Sequence, residues 1–155
     1  MDNRVIQVTV LHSNDMHCEL EAMSRLSTLA RSLHAELSAE GRTVFLFDAG
    51  DAADRRVRFC SLTKGAAIPG LMEAMGSHGY DLQTLGNAIS ITYGPQAAAR
   101  MAQQARFPIL AANFYRNSQP LVHGVRPDAS FQLSKAIQLH VVGLTAQAQS
   151  YIDFF

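Results

Sequence analysis

The sequence predicts an α/β fold, with a largely parallel sheet and flanking helices, in a single domain over residues 1–155. Short β-branched apolar runs alternate with longer stretches whose apolar residues recur every three or four positions, which is typical of strands connected by helices. No internal repeat, low-complexity segment or linker interrupts this alternation, and 155 residues suffice to bury one hydrophobic core. Ligands of such sheets usually bind outside the carboxyl ends of the strands, so a site is expected there.

The first part of the chain supplies two strands and a long helix between them. Residues 5–11 are β-branched and apolar, and they predict a buried strand. Residues 19–40 carry leucines and methionine at spacings of three and four, which predicts a helix that ends at Gly41. Residues 43–47 predict the second buried strand.

The middle of the chain is more polar at first. Residues 52–63, rich in Asp and Arg, predict a loop, and residues 66–75 predict a helix with Pro69 near its first turn. A short strand is expected over residues 82–85, and it leads into Gly86 and Asn87.

The last third is predicted to contain one more helix and several strands. Residues 95–105 predict a helix that begins at Pro95, where proline is favourable, and residues 108–111 predict a strand. The tail over residues 131–143 predicts a hairpin or two strands at the sheet edge.

Composition and charge exclude several classes of partner. The 13 basic and 13 acidic residues cancel, so no net field favours nucleic acid, and no apolar run approaches the roughly 20 residues of a membrane helix. The N-terminus lacks the apolar core of a signal peptide, which predicts a cytoplasmic protein, or a periplasmic or secreted one whose signal has been removed. Cys18 and Cys60 form no disulfide framework and are expected to be free thiols.

Polar clusters fall at three successive strand ends, at residues 14–17, 48–51 and 86–87. Asp15 and His17 are two apart, so an extended backbone would point both side chains to one side as ligands of a divalent ion. Asp51 could bridge two ions, and Asn87 offers a neutral oxygen; this donor set suits Mn, Zn or Fe. Each residue alone could be a helix cap or turn residue, but the coincidence of three clusters favours a metal site.

Five blocks of the sequence also carry a family resemblance. They are residues 11–17, 47–51, 80–87, 107–113 and 142–145. In this order they resemble the blocks of the 5′-nucleotidase and 2′,3′-cyclic-nucleotide phosphodiesterase family. The resemblance covers nearly the whole chain and implies a single, partial calcineurin-like metallophosphoesterase domain, the N-terminal half of an αββα sandwich.

The resemblance implies a function and a ligand set. Asp15 and His17 would bind one ion, Asp51 would bridge, and Asn87 would bind the second of two divalent ions (Mn, Zn or Fe). Members of this family hydrolyse nucleotide phosphate esters with metal-activated water. The expected ligand is therefore a nucleotide or another small phosphoester.

The sequence departs from the family pattern at one block and lacks another. The family has His-Glu after the asparagine of its third block, whereas here Ala88 and Ile89 follow Asn87, and neither can transfer a proton. Such a loss typically costs about 10²–10⁴-fold in rate, so no catalytic residue is assigned. The histidine ligands of a later Gly-His-x-His block are not reached before Phe155, which predicts weak metal binding.

The alternative hypothesis is a catalytically inactive scaffold that binds nucleotide, metal or a protein partner. Arg55, Arg56 and Arg58 could reach a phosphate, or they could form a solvated loop. His140 is interpreted as a strand residue with a hydrogen-bond partner. If Phe155 is the natural end, an exposed sheet edge would be covered in a homodimer.

Overall fold

A four-stranded parallel sheet forms the centre of the protein in the computed structural model, which describes residues 5–146. Its strands lie side by side in chain order: β1 (Val8–Ser13), β2 (Thr43–Asp48), β3 (Leu82–Thr84) and β4 (Ile109–Leu110). Because all neighbouring strands are parallel, their carboxyl ends share one edge of the sheet. The predicted α/β class with a largely parallel sheet is confirmed.

Five helices flank this sheet within the described residues. They are α1 (Leu20–Ala39), α2 (Arg58–Thr63), α3 (Ile68–Ala74), α4 (Asn87–Tyr93) and α5 (Pro95–Gln104). The helices predicted over residues 19–40, 66–75 and 95–105 are confirmed as α1, α3 and α5. Ile68 and Met72 of α3 are completely buried, because the helices enclose the apolar core against the sheet.

The prediction of a loop over residues 52–63 was wrong in its second part, since Arg58–Thr63 form α2. The Asp and Arg residues of this segment are typical of a loop, so the helix was not predicted. Helix α2 places Cys60 in the core. Helix α4 was not predicted either, because its β-branched residues are not typical of helices. Burial of Ile89 overrides that local preference.

The strand predicted over residues 5–11 is shifted towards the C-terminus. It runs from Val8 to Ser13, because the parallel register pairs Val8 with Thr43 and Ser13 with Asp48. Within residues 5–146, β1 and β4 are the two outer strands of the four-stranded sheet, and the predicted homodimer was expected to cover an exposed sheet edge. That homodimer stays a prediction.

Two antiparallel hairpins complete the described chain. The first, β5 (Tyr115–Arg116) and β6 (Gln119–Pro120), was not predicted. The second, β7 (Asp128–Gln132) and β8 (Gln138–Val142), confirms the predicted hairpin, and Phe131 packs on the sheet with its ring centre 4.9 Å from that of Phe45. None of the helices within residues 5–146 is both long and apolar enough to cross a membrane.

Candidate metal centre at the strand ends

Backbone hydrogen bonds join the loops that follow β1 and β2. The amide of Asp15 donates to the carbonyl of Gly50 at 3.0 Å, and the amide of His17 donates to the carbonyl of Asp51 at 3.1 Å. These bonds hold the predicted ligands of the first loop beside Asp51. Asp15, His17 and Asp51 have φ values of 52°, 47° and 56°, a left-handed conformation that costs about 1 kcal/mol or more per residue and is concentrated at functional sites.

Asp15 and His17 do meet, although not through the extended backbone that their spacing suggested. Both residues are left-handed, because the bonds to Gly50 and Asp51 curl the loop. Asp15 Oδ1 lies 3.3 Å from His17 Nε2, and Asn14 Nδ2 donates to Asp15 Oδ2 at 2.6 Å. The Asp15 side chain is 58% exposed and that of His17 is 36% exposed, so both can be reached from solvent.

Asp51 is fixed by the loop after β3. Its Oδ1 accepts a hydrogen bond from the backbone amide of Ala88 at 2.7 Å. A Cβ atom at Gly86 would lie 2.2 Å from both the amide nitrogen and Oδ1 of Asp51, so only glycine fits there. Asn87 begins α4 and is exposed. The structure therefore brings Asp51 against Gly86 and Ala88, on either side of Asn87, and its backbone against the Asp15–His17 loop.

The donors at this edge suit a divalent cation in type: two carboxylates, an imidazole and an amide oxygen. Across residues 5–146, however, no three His, Cys, Asp or Glu side chains converge as a metal site requires. The assignment of Asp15, His17, Asp51 and Asn87 as metal ligands thus remains a prediction. A cavity of about 370 Å³ opens beside Asp15, between the end of β1 and the first turns of α1, where Glu19 and Met23 also line it.

A buried hydrogen-bond network beneath these loops was not anticipated from the sequence. Asp48 Oδ2 accepts from Ser13 Oγ at 2.7 Å, and Asp48 Oδ1 accepts from Gln83 Nε2 and from the Gly50 amide, both at 3.0 Å. Ser13 Oγ also lies 2.8 Å from the Tyr80 hydroxyl. Asp48 thereby connects β1, β2 and β3 at the edge that carries the candidate ligands. A carboxylate directly after the apolar run at residues 44–47 was the available signal.

Burial raises the pKa of Asp48 from 3.8 to about 6. Between these values the folded protein binds more protons than the unfolded chain, so the free energy of unfolding should fall as pH rises from about 4 to about 6. The full contribution is up to about 3 kcal/mol. Asp48→Asn cannot titrate, so this part of the fall should disappear in urea unfolding at the two pH values. An equal fall in the wild type and the variant would contradict the assignment.

Cys18 and Cys60 are both free and buried, in agreement with the predicted free thiols. A hydrogen bond between their side chains is the main cause of the pKa shift of each thiol. It raises the pKa of Cys18 and lowers the pKa of Cys60 to about 7. Cys18 is 1% exposed, so it fills space in the core behind His17.

The arginines after Asp51 and the histidine on β8 were the other candidate site residues. Arg56 forms a forked contact with Asp54, with Nε 2.9 Å and Nη2 2.5 Å from Oδ2. Mainly through these hydrogen bonds, Arg56 lowers the pKa of Asp54 to about 2. Arg55 and Arg58 are exposed, and their contact with a phosphate stays a prediction. On β8, His140 has its Nδ1 2.8 Å from Ser130 Oγ, which confirms its interpretation as a hydrogen-bonded strand residue.

The four-stranded parallel sheet with flanking helices matches the fold of the metallophosphoesterase domain in solved 5′-nucleotidases. The NAD nucleotidase of Haemophilus influenzae superposes with a TM-score of 0.71 at 21% identity, covering 95% of this chain and 27% of that one. A 5′-nucleotidase precursor from Thermus thermophilus gives a TM-score of 0.68 at 26% identity, covering 89% and 28%.

Sequence comparison agrees with this class. The chain is 28% identical to a 5′-nucleotidase of Vibrio vulnificus over 156 residues, covering 91% of the chain and 26% of the relative. It is 31% identical to the 5′-nucleotidase of Bos taurus over 121 residues, covering 69% and 20%. No family model matches. These relatives confirm the resemblance to the 5′-nucleotidase family that the sequence blocks indicated, and the chain spans about a quarter of the length of the curated relatives it matches.

Proposed function

We propose that this chain is part of a metal-dependent phosphoesterase that hydrolyses nucleotide phosphate esters. Asp15, His17, Asp51 and Asn87 are its metal-binding residues in this proposal. The observation that carries it is the junction of the strand-end loops, where Asp15 contacts His17 at 3.3 Å and the His17 amide binds the Asp51 carbonyl. The chemistry of the substrate follows from the relatives, which are 5′-nucleotidases.

Two divalent ions (Mn, Zn or Fe), when bound here, would neutralise phosphoryl charge and provide a nucleophilic water. The protein's own part is to hold the ligands in place before the substrate arrives. The Ala88 amide fixes the rotation of the Asp51 carboxylate, and the exposed Asp15 faces a cavity large enough for a small phosphoester. Beneath these residues, the hydrogen bond from Ser13 to Asp48 joins the ends of β1 and β2.

A specific observation favours the alternative, an inactive scaffold that binds nucleotide, metal or a protein partner. Ile89, which stands where the family has its glutamate, is only 4% exposed and belongs to the hydrophobic core. A Cβ atom at Gly65 would overlap the Ile89 side chain, so α4 is packed as a structural element. The segment that would supply an acid or base in relatives therefore contributes packing here.

The two hypotheses are separated by phosphate release from a nucleoside 5′-monophosphate in Mn²⁺, with Ala88→His beside the wild type. A hydrolase should release phosphate slowly, and the added histidine should raise the rate by about 10²-fold or more, because it restores a proton donor. A scaffold should release no phosphate with either protein, and a scaffold that binds nucleotide should still show that binding by calorimetry. An Asp81→Asn variant serves as a control outside the site.

We also propose that the chain is a single, partial metallophosphoesterase domain. One solved relative is a 5′-nucleotidase precursor, which favours a periplasmic or secreted location over a cytoplasmic one. Immunoblotting of separated cytoplasmic and periplasmic or secreted fractions would test that location directly, and recovery from the cytoplasm alone would contradict it.

A further inference from the structure

The imidazole of His17 lies between two carboxylates of different character. Nε2 is 3.3 Å from Asp15 Oδ1 on the solvent side, and Nδ1 is 3.8 Å from Asp54 Oδ2 on the core side. The Asp54 side chain is only 10% exposed, against 58% for Asp15. Nδ1 itself is buried and has no hydrogen-bond partner. A buried polar atom without a partner is costly, so its neighbourhood requires an explanation.

A neutral imidazole carries one proton, which can reside on either nitrogen. A cation held by Asp15 and His17 needs the lone pair of Nε2, and the proton then stays on Nδ1, which faces Asp54. Histidines that bind metals usually donate this second N–H to a carboxylate, which orients the ring and raises its basicity. At 3.8 Å the Asp54 oxygen is about 1 Å beyond an ordinary hydrogen bond, a gap that a small side-chain movement closes.

Asp54 is held ready for this role by its own contacts. Its Oδ1 accepts from the backbone amide of Arg56 at 2.8 Å, and its two oxygens accept from the Arg56 guanidinium. The Arg56 side chain is 81% exposed, so it clamps Asp54 from the solvent side. The carboxylate is thereby kept ionised and fixed beside the buried face of His17.

We propose that Asp54 is a positioning residue for His17. Its carboxylate accepts a hydrogen bond from the Nδ1–H of His17 when Nε2 binds the cation. This inference rests on the proposed function, because it assigns a partner to one of the proposed ligands. The family resemblance assigned no role to Asp54, and the sequence placed it in a loop.

The first test is Zn²⁺ affinity by calorimetry, with Asp54→Asn beside the wild type. The variant should bind Zn²⁺ at least about tenfold more weakly, because a neutral amide oxygen is a weaker hydrogen-bond acceptor for the His17 Nδ1–H than a carboxylate is. Asp81→Asn is the matched control, since Asp81 also contacts a histidine, His78, at 3.1 Å but lies away from the strand ends. An equal affinity for the wild type and Asp54→Asn would overturn the proposal.

The second test reads the tautomer of His17 by ¹⁵N NMR at about pH 8. The Zn²⁺-bound wild type should carry its proton on Nδ1, and Asp54→Asn should expose this proton to faster exchange. If the wild type binds no Zn²⁺, the proposed function is wrong. The metal-free spectra then still test the role of Asp54, because that role predicts a shift towards the Nε2–H tautomer in Asp54→Asn. Identical metal-free spectra would overturn it.

Arg56→Gln replaces Asp54→Asn if the latter does not fold, because Arg56 is exposed and its loss removes only the clamp. It should lower the Zn²⁺ affinity by a smaller factor in the same direction. An unchanged affinity in a folded Arg56→Gln protein would count against the positioning role.

Discussion

Asp51→Asn is expected to weaken Mn²⁺ binding about a hundredfold or more, since losing even a residue behind a ligand typically costs 10–100-fold. The substitution keeps the shape of the side chain and its acceptor for the Ala88 amide, so the loop should stay folded. It removes the negative charge of a predicted ligand that contacts both adjoining loops, through its backbone carbonyl to His17 and through its Oδ1 to Ala88. Calorimetric titration with Mn²⁺ measures the effect.

The matched control for this experiment is His140→Gln. His140 is exposed on β8, contacts Ser130 and is not one of the proposed metal ligands. Its replacement should leave Mn²⁺ affinity unchanged. If Asp51→Asn and His140→Gln have equal effects, Asp51 is not a metal ligand.

Gly86→Ala is expected to lower the free energy of unfolding by about 3 kcal/mol, the upper range for overpacking a buried site. The new Cβ would lie 2.2 Å from the amide nitrogen and Oδ1 of Asp51. The backbone cannot easily retreat, because a Cβ at Gly50 would already lie 3.0 Å from Gly86 Cα. Relief of the overlap must displace Asp51, so metal binding should weaken as well. Urea unfolding and Mn²⁺ titration measure the two effects.

Gly70→Ala is the control for this substitution. A Cβ atom at Gly70 has nothing within 4 Å, and the residue lies inside α3, where alanine is favoured over glycine by roughly 0.5–1 kcal/mol. The control should therefore be slightly stabilising. A Gly86→Ala protein as stable as Gly70→Ala would show that the two loops are not in close contact.

The strands and long helices were predicted well from the sequence because their apolar patterns are local properties. The run at residues 43–47 became β2, and the periodic leucines became α1. The short helices α2 and α4 were not predicted, because burial of Cys60 and Ile89 decides them and burial depends on distant parts of the chain. The shift of β1 by two or three residues has a similar origin, in its register with β2.

The proximity of Asp15 and His17 was predictable from the sequence, but the geometry of their contact was not. The pattern of Asp15 and His17 indicated that they act together, and they are in contact. Their left-handed backbone follows from hydrogen bonds to Gly50 and Asp51, about 35 residues further along. The roles of Asp48 and Asp54 could not be predicted from the sequence either, because their partners are distant along the chain. Asp48 contacts Ser13 and Gln83 of the neighbouring strands, and Asp54 lies beside the buried nitrogen of the His17 ring.

The most direct test of the central claim is phosphate release from a nucleoside 5′-monophosphate in Mn²⁺ by the wild-type chain beside Asp51→Asn. A phosphoesterase site at these strand ends predicts slow release by the wild type that chelation of the metal abolishes and that Asp51→Asn lacks. Release by neither protein above the buffer rate, or equal release by both, would contradict such a site.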